Sequence, residues 1–147
     1  MLRVMARPRS RRPYWANWKD TDLLDLRFCD LDLRVGRGLV AQRMERLYEE
    51  LHLGKLRFRP HYWLSEEWFS PDGVPGIAIP FYLAHPRLAR LEAKQMFEVE
   101  GGTDEWCMQL LRHEAGHAID SGYKLHRRHT WRRTFGRYGR PYPDSYV

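Results

Sequence analysis

Three residues on one short stretch have the types and spacing of a metal-dependent hydrolase: His113, Glu114 and His117, within His113-Glu114-Ala115-Gly116-His117. On a helix, residues four apart share a face, so both imidazoles can meet one tetrahedral cation while the carboxylate stands beside them. His113 and His117 are therefore the candidate zinc ligands, with Zn2+ the expected cofactor. Glu114 is the candidate general base, a carboxylate placed to take a proton from attacking water. The competing reading is a buried helix whose histidines satisfy ordinary polar contacts.

The elements around this stretch must hold it as a helix. Gly101-Gly102-Thr103 ends the preceding segment, Thr103 or Asp104 can cap a new helix, and Asp104 and Glu105 place negative charge at its positive end. Trp106, Cys107, Leu110, Leu111, Ala115, Ala118 and Ile119 recur at helical spacing, predicting a helix from about residue 103 to 123. Gly116 inside that helix costs about 1 kcal/mol relative to alanine, which calls for a reason such as close approach by another backbone. Asp120 lies two turns after His113, where it can hold a histidine ring, coordinate directly, or face solvent.

The run Leu110 to Asp120 resembles the active-site helix of the zincin metallopeptidases, in particular the bacterial zinc-binding metallopeptidases and, more distantly, the anthrax-lethal-factor type. The stretches from Trp63 to Gly73 and from Tyr82 to Leu88 also look like the bacterial group. The resemblance implies zinc at His113 and His117, water activation by Glu114, and a peptide or protein substrate. It further implies an α+β, zincin-like fold with a small mixed sheet packed on the active-site helix. Such proteins take a third ligand from a later glutamate, yet no glutamate follows Glu114. The metzincin positions hold Tyr123 and Asp120 instead, which excludes that variant. His126 or His129, ahead of Trp131, fits the later histidine of SprT-like proteases. The expectation is nevertheless a chain that stops before the element carrying the third ligand, so that the lower half is incomplete and activity alone is low.

The 147 residues suit one domain with a modest core, and 43% hydrophobic with 14% aromatic residues argues against general disorder. The expected layout is a flexible basic arm over 1–13, a domain over 14–135 and an irregular linker over 136–147. No stretch is long enough for a membrane span and no signal-peptide core follows the arginine-rich start, so the expected compartment is the cytoplasm. Cys29 and Cys107 read as buried reduced thiols.

The net charge of +6 is carried by the two ends. Residues 1–13 hold five arginines and no acid, and residues 124–147 hold seven Lys and Arg against Asp144. Arg127-Arg128-His129-Thr130-Trp131-Arg132-Arg133 interleaves a stacking residue with cations, which supports an alternative function: a non-enzymatic, nucleic-acid-associated module with a vestigial metal site.

The remaining pattern predicts a helical turn at Asp22–Leu26, a short strand through Leu31, Leu33 and Val35, and an amphipathic helix from Val40 to Leu51 stopped by Gly54. A strand over Leu56–Leu64 with Pro60 at an edge or bulge follows, then a loop with turn chemistry at Ser70-Pro71-Asp72-Gly73. That loop brings Trp68 and Phe69 to the surface, either lining a cleft or packing on the body. A second strand is expected over Gly76–Leu83, either an edge that binds substrate by strand addition or a buried internal strand. Leu88, Leu91, Gln95 and Val99 predict a helix with Glu98-Val99-Glu100 either its end or extended, Gly122 a turn, and Trp131 with Phe135 one short helix. His52 is expected to be a surface residue at the helix C-terminal dipole, and His61 and His85 to be either site residues or structural ones.

Overall fold

The computed structural model describes residues 12–139. Of the basic arm only Arg12 and Pro13, and of the C-terminal linker only residues 136–139, fall inside that range. The chain divides into two compact units, Met1–Arg34 and Val35–Val147.

The first unit holds helix α1 (Asp20–Leu24) and a 3-10 turn over Phe28–Leu31. Trp15 is buried and donates its indole N–H to the Leu31 carbonyl at 2.9 Å, while Arg27 forks onto the Asp30 carboxylate at 2.9 and 3.1 Å. The strand expected through Leu31, Leu33 and Val35 does not form. Leu31 closes the 3-10 turn, its carbonyl is taken by Trp15, and Asp32 follows in the left-handed region at φ 45°. Cys29 is exposed rather than buried, and Cys107 is buried; both are free thiols.

In the second unit, helix α2 (Gly38–Leu53) buries Val40, Met44 and Leu47, the i, i+4, i+7 stripe that predicted it, and ends at Gly54. The extended stretch after it becomes strand only at His61. Pro60 has no N–H to give a ladder, and its carbonyl accepts the Tyr48 hydroxyl at 2.8 Å. Strand β1 (His61–Ser65) then pairs in parallel with β2 (Gly76–Pro80), with Trp63 opposite Ala78. Gly76 is demanded by this pairing, because a Cβ there would lie 2.6 Å from the Trp63 ring. The connection turns at Pro71–Val74, with Gly73 at φ 77°, and bridges back antiparallel through Phe69 to Ala78. All five β2 residues are therefore buried, flanked by β1 on one side and the Phe69 bridge on the other. β2 stops at Pro80 rather than Leu83, since Phe81–Ala84 winds into a 3-10 turn.

Helix α3 (Pro86–Met96) starts with proline at its first position and the His85 ring nitrogen accepting from the Arg87 N–H at 3.1 Å. Helix α4 (Asp104–Tyr123) is capped by Thr103, whose hydroxyl accepts from the Trp106 N–H at 3.2 Å. Its buried face, formed by Cys107, Met108, Leu111, Ala115 and Ala118, packs on α2 and β2. Gly122 does not turn the chain. It lies inside α4, where a Cβ would sit 2.8 Å from the Phe58 ring, and the turn is made by Lys124 at φ 52°. A 3-10 turn over Leu125–Arg127 and helix α5 (His129–Phe135) follow, with Trp131 and Phe135 rings 5.1 Å apart. The unit is thus a mixed helix and sheet structure with a two-stranded parallel sheet and one antiparallel bridge. Among the described residues no helix is long and apolar enough to cross a membrane.

Candidate metal centre on helix α4

The helical register of α4 sends Cys107, Met108, Leu111, Ala115 and Ala118 inward, and so leaves His113, Gly116 and His117 on its exposed side. The two imidazoles converge. Their Nε2 atoms are 3.1 Å apart, with ring centroids at 4.8 Å and planes inclined by 75°. Two nitrogens bound to one tetrahedral zinc at 2.0 to 2.1 Å would be about 3.3 Å apart, so the pair matches two ligand positions of one cation almost without adjustment. The donor chemistry fits as well, since each ring can carry its proton on Nδ1 and offer the Nε2 lone pair. Without a cation the same spacing accommodates one N–H···N hydrogen bond.

Glu114 is buried, with 8% of its surface exposed. Its carbonyl also accepts the Ser70 hydroxyl at 3.0 Å, which fastens the loop between β1 and β2 to the helix at this residue. Phe69 of that loop is exposed, sits edge-on to Trp63 at 6.2 Å, and is held by its bridge to Ala78. The Trp68 indole N–H is buried and has no hydrogen-bond partner among the described residues. Gly101 lets that ring in, because a Cβ there would meet it at 3.1 Å. The loop therefore packs onto the body rather than standing free.

Arg112, the cation next to the histidines, is drawn away from them. Its guanidinium forks onto Glu50 of α2 at 2.8 and 2.9 Å, holding the Glu50 carboxyl below its ordinary range. Arg46 bridges Glu50 to Asp104, and Arg43 adds a second contact to Asp104 at 3.2 Å. These pairs link α2 to α4 along the charged edge between them. Burial pushes the Cys107 thiol up, so it stays a packing group.

The other candidates lie elsewhere. Asp120 accepts the His126 backbone N–H at 2.7 Å, and its second oxygen is 3.2 Å from His126 Nδ1. A carboxylate only accepts, so this Nδ1 carries the proton. Asp120 thus orients His126 rather than His113 or His117. His126 is stacked on Tyr138 at 4.3 Å, and His129 is exposed at the start of α5. Among the described residues no three His, Cys, Asp or Glu side chains converge as a metal site. Gly116 has nothing within 4 Å of the position of a Cβ, so the close backbone approach expected there is absent and the surface beside the histidines is open. The strand expected to offer substrate an edge, β2, is internal, and the edge strand of the sheet is β1. The contributions of Ser70 and Tyr138 carry no sequence signal, because Ser70 reaches Glu114, and Tyr138 reaches Asp72 and His126, from distant positions in the chain.

No protein-family model, no curated protein and no solved structure matches this chain.

Proposed function

We propose that the chain is a zinc-dependent metallopeptidase component in which His113 and His117 supply two ligands and Glu114 handles the proton in peptide-bond hydrolysis. The observation that carries this reading is the convergence of the two Nε2 atoms to 3.1 Å on the exposed side of a capped, well-packed helix. Zinc bound there would supply Lewis acidity toward a carbonyl and toward water. The chain's own part begins with His113 and His117, which present Nε2 lone pairs while their protons stay on Nδ1. The Glu114 carboxylate accepts a proton from the attacking water and returns it to the leaving amine nitrogen. The small Gly116 leaves room for a substrate backbone alongside the pair.

Among the described residues no third His, Cys, Asp or Glu joins the pair, and the activity proposed for the chain by itself is low. Its test is zinc-dependent peptide cleavage by wild type and by Glu114→Gln. Loss of cleavage with zinc retained supports the reading. Cleavage unaffected by the substitution, or equal in the presence of a chelator, refutes it.

A further inference from the structure

Five arginines in the body of the protein are tied into ion pairs. Arg27, Arg43, Arg46, Arg59 and Arg112 each reach a carboxylate within 3.5 Å. The six cations from Lys124 to Arg137 do not. Lys124, Arg127, Arg128, Arg132, Arg133 and Arg137 are all exposed, none pairs with a carboxylate among the described residues, and no acid occurs between positions 124 and 139. Two carboxylates that touch this segment are engaged by other groups: Asp120 holds His126, and Asp72 bonds the Tyr138 hydroxyl. Six cations left unpaired on about sixteen residues repel one another, a cost that a polyanion relieves.

Aromatic faces are interleaved with that charge. Tyr138 is 48% exposed and Phe135 70% exposed, with Trp131 stepped between them. An open cavity of about 620 Å³ is lined by Arg132, Arg137, Tyr138 and the two glycines Gly136 and Gly139. It combines two guanidinium groups with one half-exposed ring, enough room for a phosphate and a base together. The Arg132 Nε–H also donates to the His126 carbonyl at 3.4 Å, which aims this side chain along the cavity wall.

We infer that the surface formed by α5 and residues 124–139 binds single-stranded nucleic acid, the arginines taking the phosphates and the exposed rings stacking on bases. This binding is separate from the histidine pair and does not depend on the peptidase reading. The single-stranded form is chosen because exposed rings reach only unstacked bases.

The test is fluorescence anisotropy of a labelled oligothymidylate with the full-length protein across a salt series, with chelator present throughout. Four phosphate contacts give a slope of about −2.8 in log K against log salt, or about 50-fold weaker binding at 200 mM than at 50 mM. The double variant Arg132→Gln/Arg137→Gln should lower the slope by about 1.4, while His113→Ala and Arg59→Gln leave it unchanged. Thermal melting of each variant verifies that it is folded. Three results would overturn the inference: no binding at 50 mM salt, an unchanged slope in the double variant, or equal binding of inorganic polyphosphate at the same charge concentration. Binding to phosphatidylserine vesicles without binding to the oligonucleotide would reassign the surface to a membrane and overturn it as well.

Discussion

Gly116 and Gly122 sit on one helix and should respond in opposite ways to the same change. Both are inside α4 with helical backbone, so alanine at either position gains about 1 kcal/mol of helix propensity. At Gly116 the new methyl meets nothing within 4 Å, so the gain is kept whole. For a chain of this length that corresponds to a rise in melting temperature of about 3 °C. At Gly122 the methyl would be 2.8 Å from Phe58 Cε2 and 3.4 Å from Pro75 Cβ. The Phe58 ring also rests against Tyr123 at 5.7 Å, which limits its retreat. Overpacking of this kind costs about 1 to 3 kcal/mol, so Gly122→Ala is expected to lose about 1 kcal/mol net. The two variants should therefore differ by about 2 kcal/mol in urea unfolding, with unchanged slopes. A destabilised Gly116→Ala, or two variants of equal stability, would show that the surroundings of α4 are not those described. If peptide cleavage falls in the more stable Gly116→Ala variant, the open surface at Gly116 is serving substrate rather than packing.

Two other substitutions test how α4 is held. Glu50→Gln removes the partner of Arg112 and Arg46, and because these groups are a third to half exposed the expected loss at pH 7 is about 1 kcal/mol or less. The Glu50 carboxyl is held below its ordinary value in the folded protein, so its contribution is present above about pH 4.3 and disappears as pH falls through the lower folded value. Wild type and variant should converge in acid unfolding measurements, and a difference that persists at pH 2 would contradict the assignment. Asp120→Ala frees both the His126 N–H and its Nδ1–H, with an expected cost of about 2 kcal/mol and faster amide exchange at His126. Unaltered exchange there would mean that Asp120 is not the group fixing this turn.

The parts of the molecule set by local rules could be read in the sequence. α4 was legible because Thr103, the two acids after it and a 3.6-residue apolar period agree, and the His113–His117 convergence follows from that period alone. α2 was legible for the same reason, with Gly54 as its stop. What could not be read depends on partners distant in sequence. Leu56 to Leu64 alternates like one strand, but the Tyr48 hydroxyl takes the Pro60 carbonyl and only the last residues find β2. Leu31 to Val35 alternates too, and fails because Leu31 closes a 3-10 turn and Asp32 follows in the left-handed region. Gly116 and Gly122 look alike in sequence; only the position of Phe58 separates an open glycine from a crowded one. Asp120 illustrates the same limit at the site, since helical spacing brings it toward His113 and His117 while the turn at Lys124 brings His126 to claim it.

The most direct measurement is zinc bound at equilibrium, by dialysis against a series of free zinc concentrations and elemental analysis without desalting, for wild type, His113→Ala, His117→Ala and Asp120→Ala. The account predicts one zinc per chain in wild type and in Asp120→Ala, and none in either histidine variant. Wild type that binds no zinc, or histidine variants that hold as much as wild type, would contradict the claim that His113 and His117 form a metal centre.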